Sequence, residues 1–241
     1  VAGDAAVAHI TAQPLNPPKD PYAGWKIGRP PSDASIKAGK AVKVLNLKRN
    51  KFVTYDPVAV YPYTDRHDDL IGYVLRLEID GRKITPQIWW CTDGNYEGWC
   101  CYPHPSPRPL YGLGKLYEFP DRQVILTEGE KCKDAAQRIF PELVSCSWLG
   151  GGKSIARTYW KSLAGRSVLT WQDNDDEGRI AMFAVHEGLK AIGCKIKTVE
   201  IQPEDIPLGH DPKGWDIADA EYMGKEWISD LIRRRIRVIA E

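Results

Sequence analysis

Acidic side chains placed straight after apolar, β-branched runs are the residues of this sequence best suited to chemistry. Glu128 follows "VILT" and precedes Gly129; Asp173 and Asp175 follow "SVLTW", with Asp176, Glu177 and Gly178 behind them. A third set, Asp211, Asp216 and Asp219, comes late in the chain. Two bare carboxylates about 4 Å apart repel by roughly 1 kcal/mol in water and by about 4 kcal/mol at an effective dielectric of about 20. A hard dication removes that repulsion, and Mg²⁺ takes oxygen ligands, keeps several waters and bridges to phosphate. The expected chemistry is metal-assisted phosphoryl transfer on nucleic acid. The plain alternative is solvated surface, and for Asp219 the cap of a last helix.

The elements around these acids decide whether they meet. From about residue 121 strand and helix patterns alternate. "RQVILT" reads as a buried strand, "KCKDAAQRIF" as an amphipathic helix ended by Pro141, and "LVSCSWL" as a second strand. "GGGK" (Gly150–Lys153) is a turn and "IARTYWKSL" suits a helix; "RSVLTW" is a third strand, "RIAMFAVHEGLKAIG" a long helix and "CKIKTVEI" a fourth strand, before a loop and a last helix. Short connections between alternating elements imply an α/β fold, a parallel sheet with helices on both faces. Functional groups of such sheets gather at the carboxyl ends of the strands, which puts Glu128, Asp173 and Asp175 at one edge. Residues 40–120 read mostly as strands and turns, with "DGRK" (Asp80–Lys83) as a hairpin signal. Trp89, Trp90, Trp99 and Tyr102 are expected in the core or on a sheet face, with base stacking as their functional alternative. Residues 1–35, rich in Pro, Ala and Gly, read as an extended arm or linker.

The 241 residues suffice for one large domain or two modest ones. No run of about 18 apolar residues exists, so no membrane span is expected, and the N-terminus lacks a signal-peptide layout. Val1, with methionine only at Met182 and Met223, fits a fragment or a processed product. The six cysteines form no CxxC pair and no disulfide framework, which suits a reducing cytoplasm. Cys91, Cys100, Cys101 and His104 are a zinc alternative with no common spacing. Net charge is +1, but residues 26–51 hold eight cations (Lys26, Arg29, Lys37, Lys40, Lys43, Lys48, Arg49, Lys51) against Asp33, while acids gather between Glu128 and Asp219. A basic surface beside an acidic centre suits a metal-using enzyme on a polyanion. "GGGKS" (Gly150–Ser154) resembles the end of a phosphate loop, but Ser147 stands where that pattern needs glycine; a phosphate-binding turn through its backbone N–H groups and Lys153 is the remaining reading. Among the five histidines, His210 beside Asp211 is the one placed to matter.

"LTEGEK" followed by "WQDNDDEGR" resembles the two signature motifs of a TOPRIM domain, the module shared by bacterial-type primases, topoisomerases and some nucleases. "HDPKGWDIADA" resembles the third acidic segment of primase-type members from phages and mobile elements. "GYVLRLE", "ITPQIWW" and "RPLYGLGKL", within residues 72–116, resemble the segment that precedes TOPRIM in bacterial-type primases. The implied organisation is an arm over 1–35, a smaller, mainly β, basic subdomain over 36–120, and a TOPRIM domain with a C-terminal helix over 121–241.

The resemblance implies roles. Glu128 would ligate metal or act as general acid/base; Asp173 and Asp175 would bind Mg²⁺ or Mn²⁺. Asp211 matches the first acid of the third motif, with Asp216 as a further ligand. Lys131, Lys153 and Arg179 would meet phosphates, and Arg76, Lys83 and Arg108 would face template or nucleotide. Two positions depart from the pattern: Cys132 stands where an Asp is frequent, and Lys213 follows Asp211-Pro212 where a second acid is usual. The 35 residues ahead of the core carry no zinc-ribbon cysteines. The expected activity is primer synthesis by nucleotidyl transfer from nucleoside triphosphates on single-stranded DNA, in the cytoplasm of a bacterium or a phage-infected host, with a replicative helicase or fused helicase domain as partner. A metal-dependent nuclease and a non-catalytic nucleic-acid-binding module are the alternatives.

Overall fold

A computed structural model of the chain describes residues 20–241. The arm expected over 1–35 lies outside the described residues as far as residue 19. From residue 20 the chain is not a free arm: Tyr22, Trp25 and Ile27 pack on a hydrophobic cluster, and Arg29 pairs with Asp65 and Asp69 at 2.7 Å each. Apolar side chains between the prolines supply that anchorage.

The first half is a sheet of eight strands: β1 (Lys26–Ile27), β2 (Val42–Asn46), β3 (Lys51–Tyr55), β4 (Ala59–Thr64), β5 (Leu70–Ile79), β6 (Arg82–Ile84), β7 (Gln87–Thr92) and β8 (Glu97–Cys101). Their main order is β3-β2-β8-β7-β5-β4, with β1 beside β7 and β6 beside β5. All pairs are antiparallel except β2 with β8. Asp80 and Gly81, both at positive φ, close the expected hairpin between β5 and β6. Side chains alternate across this sheet. Tyr63, Val74 and Trp89 lie on one face; Tyr73, Leu75 and Ile88 lie on the other.

The second sheet holds β9 (Leu110–Tyr111), β10 (Val124–Thr127), β11 (Val144–Trp148), β12 (Ser167–Trp171), β13 (Lys195–Val199) and β14 (Ile236–Ala240). Its order is β14-β13-β12-β10-β11-β9; the four central strands are parallel and the two outer ones antiparallel. Five helices attend it: α1 (Leu113–Glu118), α2 (Glu130–Ile139), α3 (Asp176–Lys190), α4 (Ile217–Ala220) and α5 (Lys225–Arg235). Leu126 and Val168 pack with α1 and α3 on one face, whereas Ile125 and Leu169 pack with α2, α4 and α5 on the other. The expected parallel α/β sheet with helices on both faces is therefore present, preceded by a mainly β sheet.

Three local expectations change. "IARTYWKSL" is not an α-helix but two 3₁₀ turns, Gly152–Arg157 and Trp160–Leu163. Arg108 N–H donates to the Arg157 carbonyl (2.6 Å) and Tyr159 N–H to the Arg108 carbonyl (2.8 Å), so a tertiary bridge draws the intervening Thr158 into extended backbone. The chain does not stop at its last helix: "IRVIA" forms β14 along β13, a β-branched signal hidden behind the adjoining arginines. "RPLYGLGKL", expected in the first subdomain, supplies β9 and α1 of the second sheet, because Leu110 is buried in the second core.

Candidate active site

The chain runs from β10 to β11 on one side and later returns to β12 on the other, which opens a crevice at the carboxyl ends of β10 and β12. Thr127 and Trp171 are level in the pairing register, so Glu128 and Asp173 emerge at the same edge. Each is followed by a glycine that the local backbone requires. Gly129, at φ 77° and ψ 159°, turns the chain into α2 through backbone that other residues avoid. A Cβ at Gly178 would sit 2.5 Å from the Asp173 carbonyl oxygen, so only glycine lets α3 start this close to the acid.

Glu128, Asp173 and Asp216 line one cavity of about 350 Å³ in the seam between the sheets. From the first sheet it is lined by Tyr61, Val74, Lys83 and Gln87; from the second, also by Lys131, Cys132, Gly150 and Gly151. Burial, then the charges of Glu128, Asp216 and Asp175, push the Asp173 carboxyl up to about 8. Glu128 is raised chiefly by burial and then by Asp175. Lys83, in the middle of the short β6 strand, draws both back down. One donor atom each from Cys132, Asp173 and Asp216 lies within 4.8 Å of the other two. Buried carboxylates that raise one another's proton affinity form a site a divalent cation fits, since the ion supplies the positive charge the cluster lacks.

The other expected residues lie elsewhere. Asp175 caps α3: its Oδ1 accepts the Gly178 N–H at 2.7 Å, while its charge still reaches Glu128 and Asp173. Asp211 is exposed and its Oδ1 accepts the Lys213 N–H at 2.9 Å, so Asp216, not Asp211, is the third acid in the cavity. Asp216 Oδ1 accepts the N–H groups of Ala218 (2.7 Å) and Asp219 (2.9 Å), and Asp219 accepts the Asp216 N–H in return, a capping box that fixes the carboxylate. Lys131 lines the cavity but pairs with Asp219 at 3.0 Å and lies 3.6 Å from Asp216. Lys153 is exposed on the first 3₁₀ turn, and Arg179 pairs with Asp176 in an outer groove bounded by Lys213.

The cations expected to face nucleic acid separate. Lys83 enters the cavity. Arg76 pairs with Glu78 at 3.3 Å on β5. Arg108 is only 6% exposed and donates to Ser154 Oγ (2.6 Å) and the His104 carbonyl (3.1 Å), which ties the linker between the sheets to the glycine turn. Its Nε and Nη1 are thereby engaged in holding that linker. Sequence reasoning also passed over two contacts on α2: Tyr63 OH donates to Glu130 at 2.8 Å across the seam, and Tyr111 OH donates to Asp134 at 3.3 Å within the second half. Trp89 and Trp99 are buried, as core aromatics should be; Trp90 and Tyr102 are half-buried. His210 stacks on Tyr222 and bonds its hydroxyl at 2.6 Å. Cys91, Cys100, Cys101 and His104 do not converge as a metal cluster.

Beyond the cavity, on the same face of the first sheet, Phe52, Tyr96 and Trp25 make successive edge-on contacts, with Lys43 Nζ 4.7 Å above the Phe52 ring. Among the described residues no helix is long and apolar enough to cross a membrane.

No protein-family model and no curated protein matches this sequence. Solved structures do. A DNA primase domain from Pseudomonas aeruginosa aligns with 82% of this chain and 57% of its own at a TM-score of 0.52 and 18% identity. The E. coli primase catalytic core aligns with 77% of this chain and 56% of its own at 0.47 and 17%. The primase fragment of the bacteriophage T7 primase-helicase protein aligns with 72% and 62% at 0.45 and 15%. The chain thus spans 57% of the length of the Pseudomonas domain. What that likeness carries is the fold: the two sheets of this chain are arranged as in a bacterial DNA primase domain.

Proposed function

We propose that this chain is the nucleotidyl-transfer core of a primase-like protein, which joins ribonucleotides into a primer on single-stranded DNA. The observation that carries the reading is the single cavity shared by Glu128, Asp173 and Asp216 from one sheet and Lys83 from the other, on the fold of a primase domain.

Glu128, Asp173 and Asp216 would hold Mg²⁺ or Mn²⁺. When bound, the ion would supply charge neutralisation at the triphosphate and a lowered pKa at the attacking hydroxyl. Lys83 would set its ammonium against the triphosphate oxygens, and the Gly150–Gly151 backbone, which lines the same cavity, would approach them closely. Glu128 would either ligate the ion or, at a carboxylate oxygen the ion leaves free, accept the proton of the 3′-hydroxyl. Asp175 would hold the start of α3, and with it the Asp173 loop, in place. The half-exposed Phe52, Tyr96 and Trp25, with Lys43 beside them, would stack and neutralise the template strand in a sequence-tolerant way. A replicative helicase, separate or fused, would be the partner that exposes the single-stranded template.

The test is incorporation of labelled ribonucleotides on single-stranded DNA with Mg²⁺ or Mn²⁺. The expected outcome is a short RNA product from wild type and none from Asp173→Asn. Equal product from both would remove the cavity from the mechanism; cleavage of labelled DNA in the absence of nucleotides would favour a nuclease.

A further inference from the structure

Cys132 lies in the first turn of α2, with its side chain only 5% exposed and turned to the same cavity as the acids. It belongs to a three-donor group with Asp173 and Asp216 that does not include Glu128. We infer that Cys132 Sγ is a metal donor, so that with Asp173 and Asp216 it forms a position for a thiophilic dication such as Cd²⁺ or Zn²⁺. This inference rests on the reading that the cavity takes a divalent ion.

The donors are spaced for it. Tetrahedral bonds of about 2.0 Å to oxygen and about 2.3 Å to sulfur put ligand atoms about 3.5 Å apart, and here no two are separated by more than 4.8 Å. A carboxylate rotation of about 1 Å closes the difference. Asp216 is already oriented as a ligand. Its Oδ1 is held by two backbone N–H groups, which leaves Oδ2 to face the Lys131 ammonium at 3.6 Å. Displacing that distant ammonium takes little energy beside the gain of a direct metal bond.

Donor chemistry then divides the cavity. Glu128, Asp173 and Asp216 offer oxygen alone, which suits Mg²⁺ and Mn²⁺; the Cys132 side adds a soft sulfur that Mg²⁺ does not use. Binding breaks the S–H bond, forms the S–metal bond and releases the proton to solvent. Of the six cysteines, Cys132 is the one that shares a donor group with carboxylates among the described residues. Because Asp173 and Asp216 serve both positions, a thiophilic ion excludes the hard one. Submillimolar Cd²⁺ or Zn²⁺ would therefore act as an inhibitor whose potency depends on one thiol.

The experiment titrates the metal-free protein with Cd²⁺ alone and follows thiolate-to-metal charge-transfer absorption; Mn²⁺ binding is measured in parallel by paramagnetic resonance. The expected result is a one-equivalent Cd²⁺ band in wild type. Cys132→Ser and Asp173→Asn should each weaken Cd²⁺ affinity at least about 10-fold, while Mn²⁺ binding survives in Cys132→Ser. Cys132→Ala gives a second test should the serine variant misfold. A band of equal strength in Cys132→Ser or Cys132→Ala assigns the ion to another cysteine and overturns the inference. Absence of the band in wild type, with Mn²⁺ binding intact and lost in Asp173→Asn, overturns it while leaving the carboxylate site standing. Loss of both ions in wild type removes both.

Discussion

The two sheets treat their charged residues in opposite ways. In the parallel sheet every central strand ends at the same edge, so Glu128 and Asp173, separated in sequence by two strands and their connections, arrive side by side. In the antiparallel sheet successive strands end at opposite edges, and its cations disperse. Lys83 reaches the cavity, Arg76 stays on β5 with Glu78, and Arg108, in the linker that follows, is consumed by Ser154 and His104. Parallel topology concentrates chemistry, whereas the antiparallel half supplies a wall and one lysine. The lesson is that a charged residue in a parallel α/β unit can be placed from its position after a strand, and one in an antiparallel meander cannot.

The sharpest way to break the comparison is to remove the third acid. Asp216→Asn, which keeps a side-chain oxygen for the cap, should lower primer synthesis by more than about 100-fold, since losing a group that merely orients a metal ligand costs roughly 10–100-fold. A near-normal rate would show that the parallel edge does not assemble a metal site.

Stability of the metal-free protein should then follow the Asp173 proton. Its carboxyl is held at about 8 against an ordinary 3.8, so between those values the folded protein keeps a proton that the unfolded chain has released. Metal-free stability therefore falls as pH rises from about 4 to about 8 and levels off beyond. Thermal melts across that window should show the slope, and Asp173→Asn should flatten it. Saturating Mn²⁺ should restore the melting temperature at the alkaline end.

Arg108→Ala separates structural from functional cations. Losing a charged hydrogen bond at a buried position costs about 2 kcal/mol, to be read from urea unfolding. A variant that stays folded but loses template binding would return Arg108 to the nucleic-acid face. Lys83→Ala should raise the apparent KM for ribonucleotides by roughly 10-fold, the worth of one well-placed charged contact, whereas Arg76→Ala should change it by less than about 2-fold. The smallest effect belongs to Asp211→Asn. Exposed and bonded only within its own loop, it should shift stability by less than about 0.5 kcal/mol and leave the rate unchanged.

Much of this molecule was legible along the chain. The four central strands of the second sheet, the long α3 helix and the hairpin at Asp80–Gly81 follow from hydrophobic period and turn residues, because those signals are local. Two of the three cavity acids were legible for the same reason: "VILT" then Glu128, and "SVLTW" then Asp173, each with a glycine that lets a helix begin. The misjudged segments share a different cause. Residues 155–163 carry a helical pattern, yet backbone bonds to Arg108 break it; Ile236–Ala240 carries a strand pattern, yet its arginine neighbours obscured it.

Sequence alone determined that acids follow strand-like runs, because what a strand looks like and what comes after it are properties of neighbouring residues. Tertiary structure decided which acid completes the set. Asp211 and Asp216 stand five positions apart in one loop, and only the capping box of α4 aims Asp216 inward while Asp211 faces water. It also decided that Cys132 looks into the cavity and that Arg108 does not. Those outcomes depend on the packing of groups distant in sequence, where solvent exclusion and a few hydrogen bonds outweigh any preference a residue carries by itself.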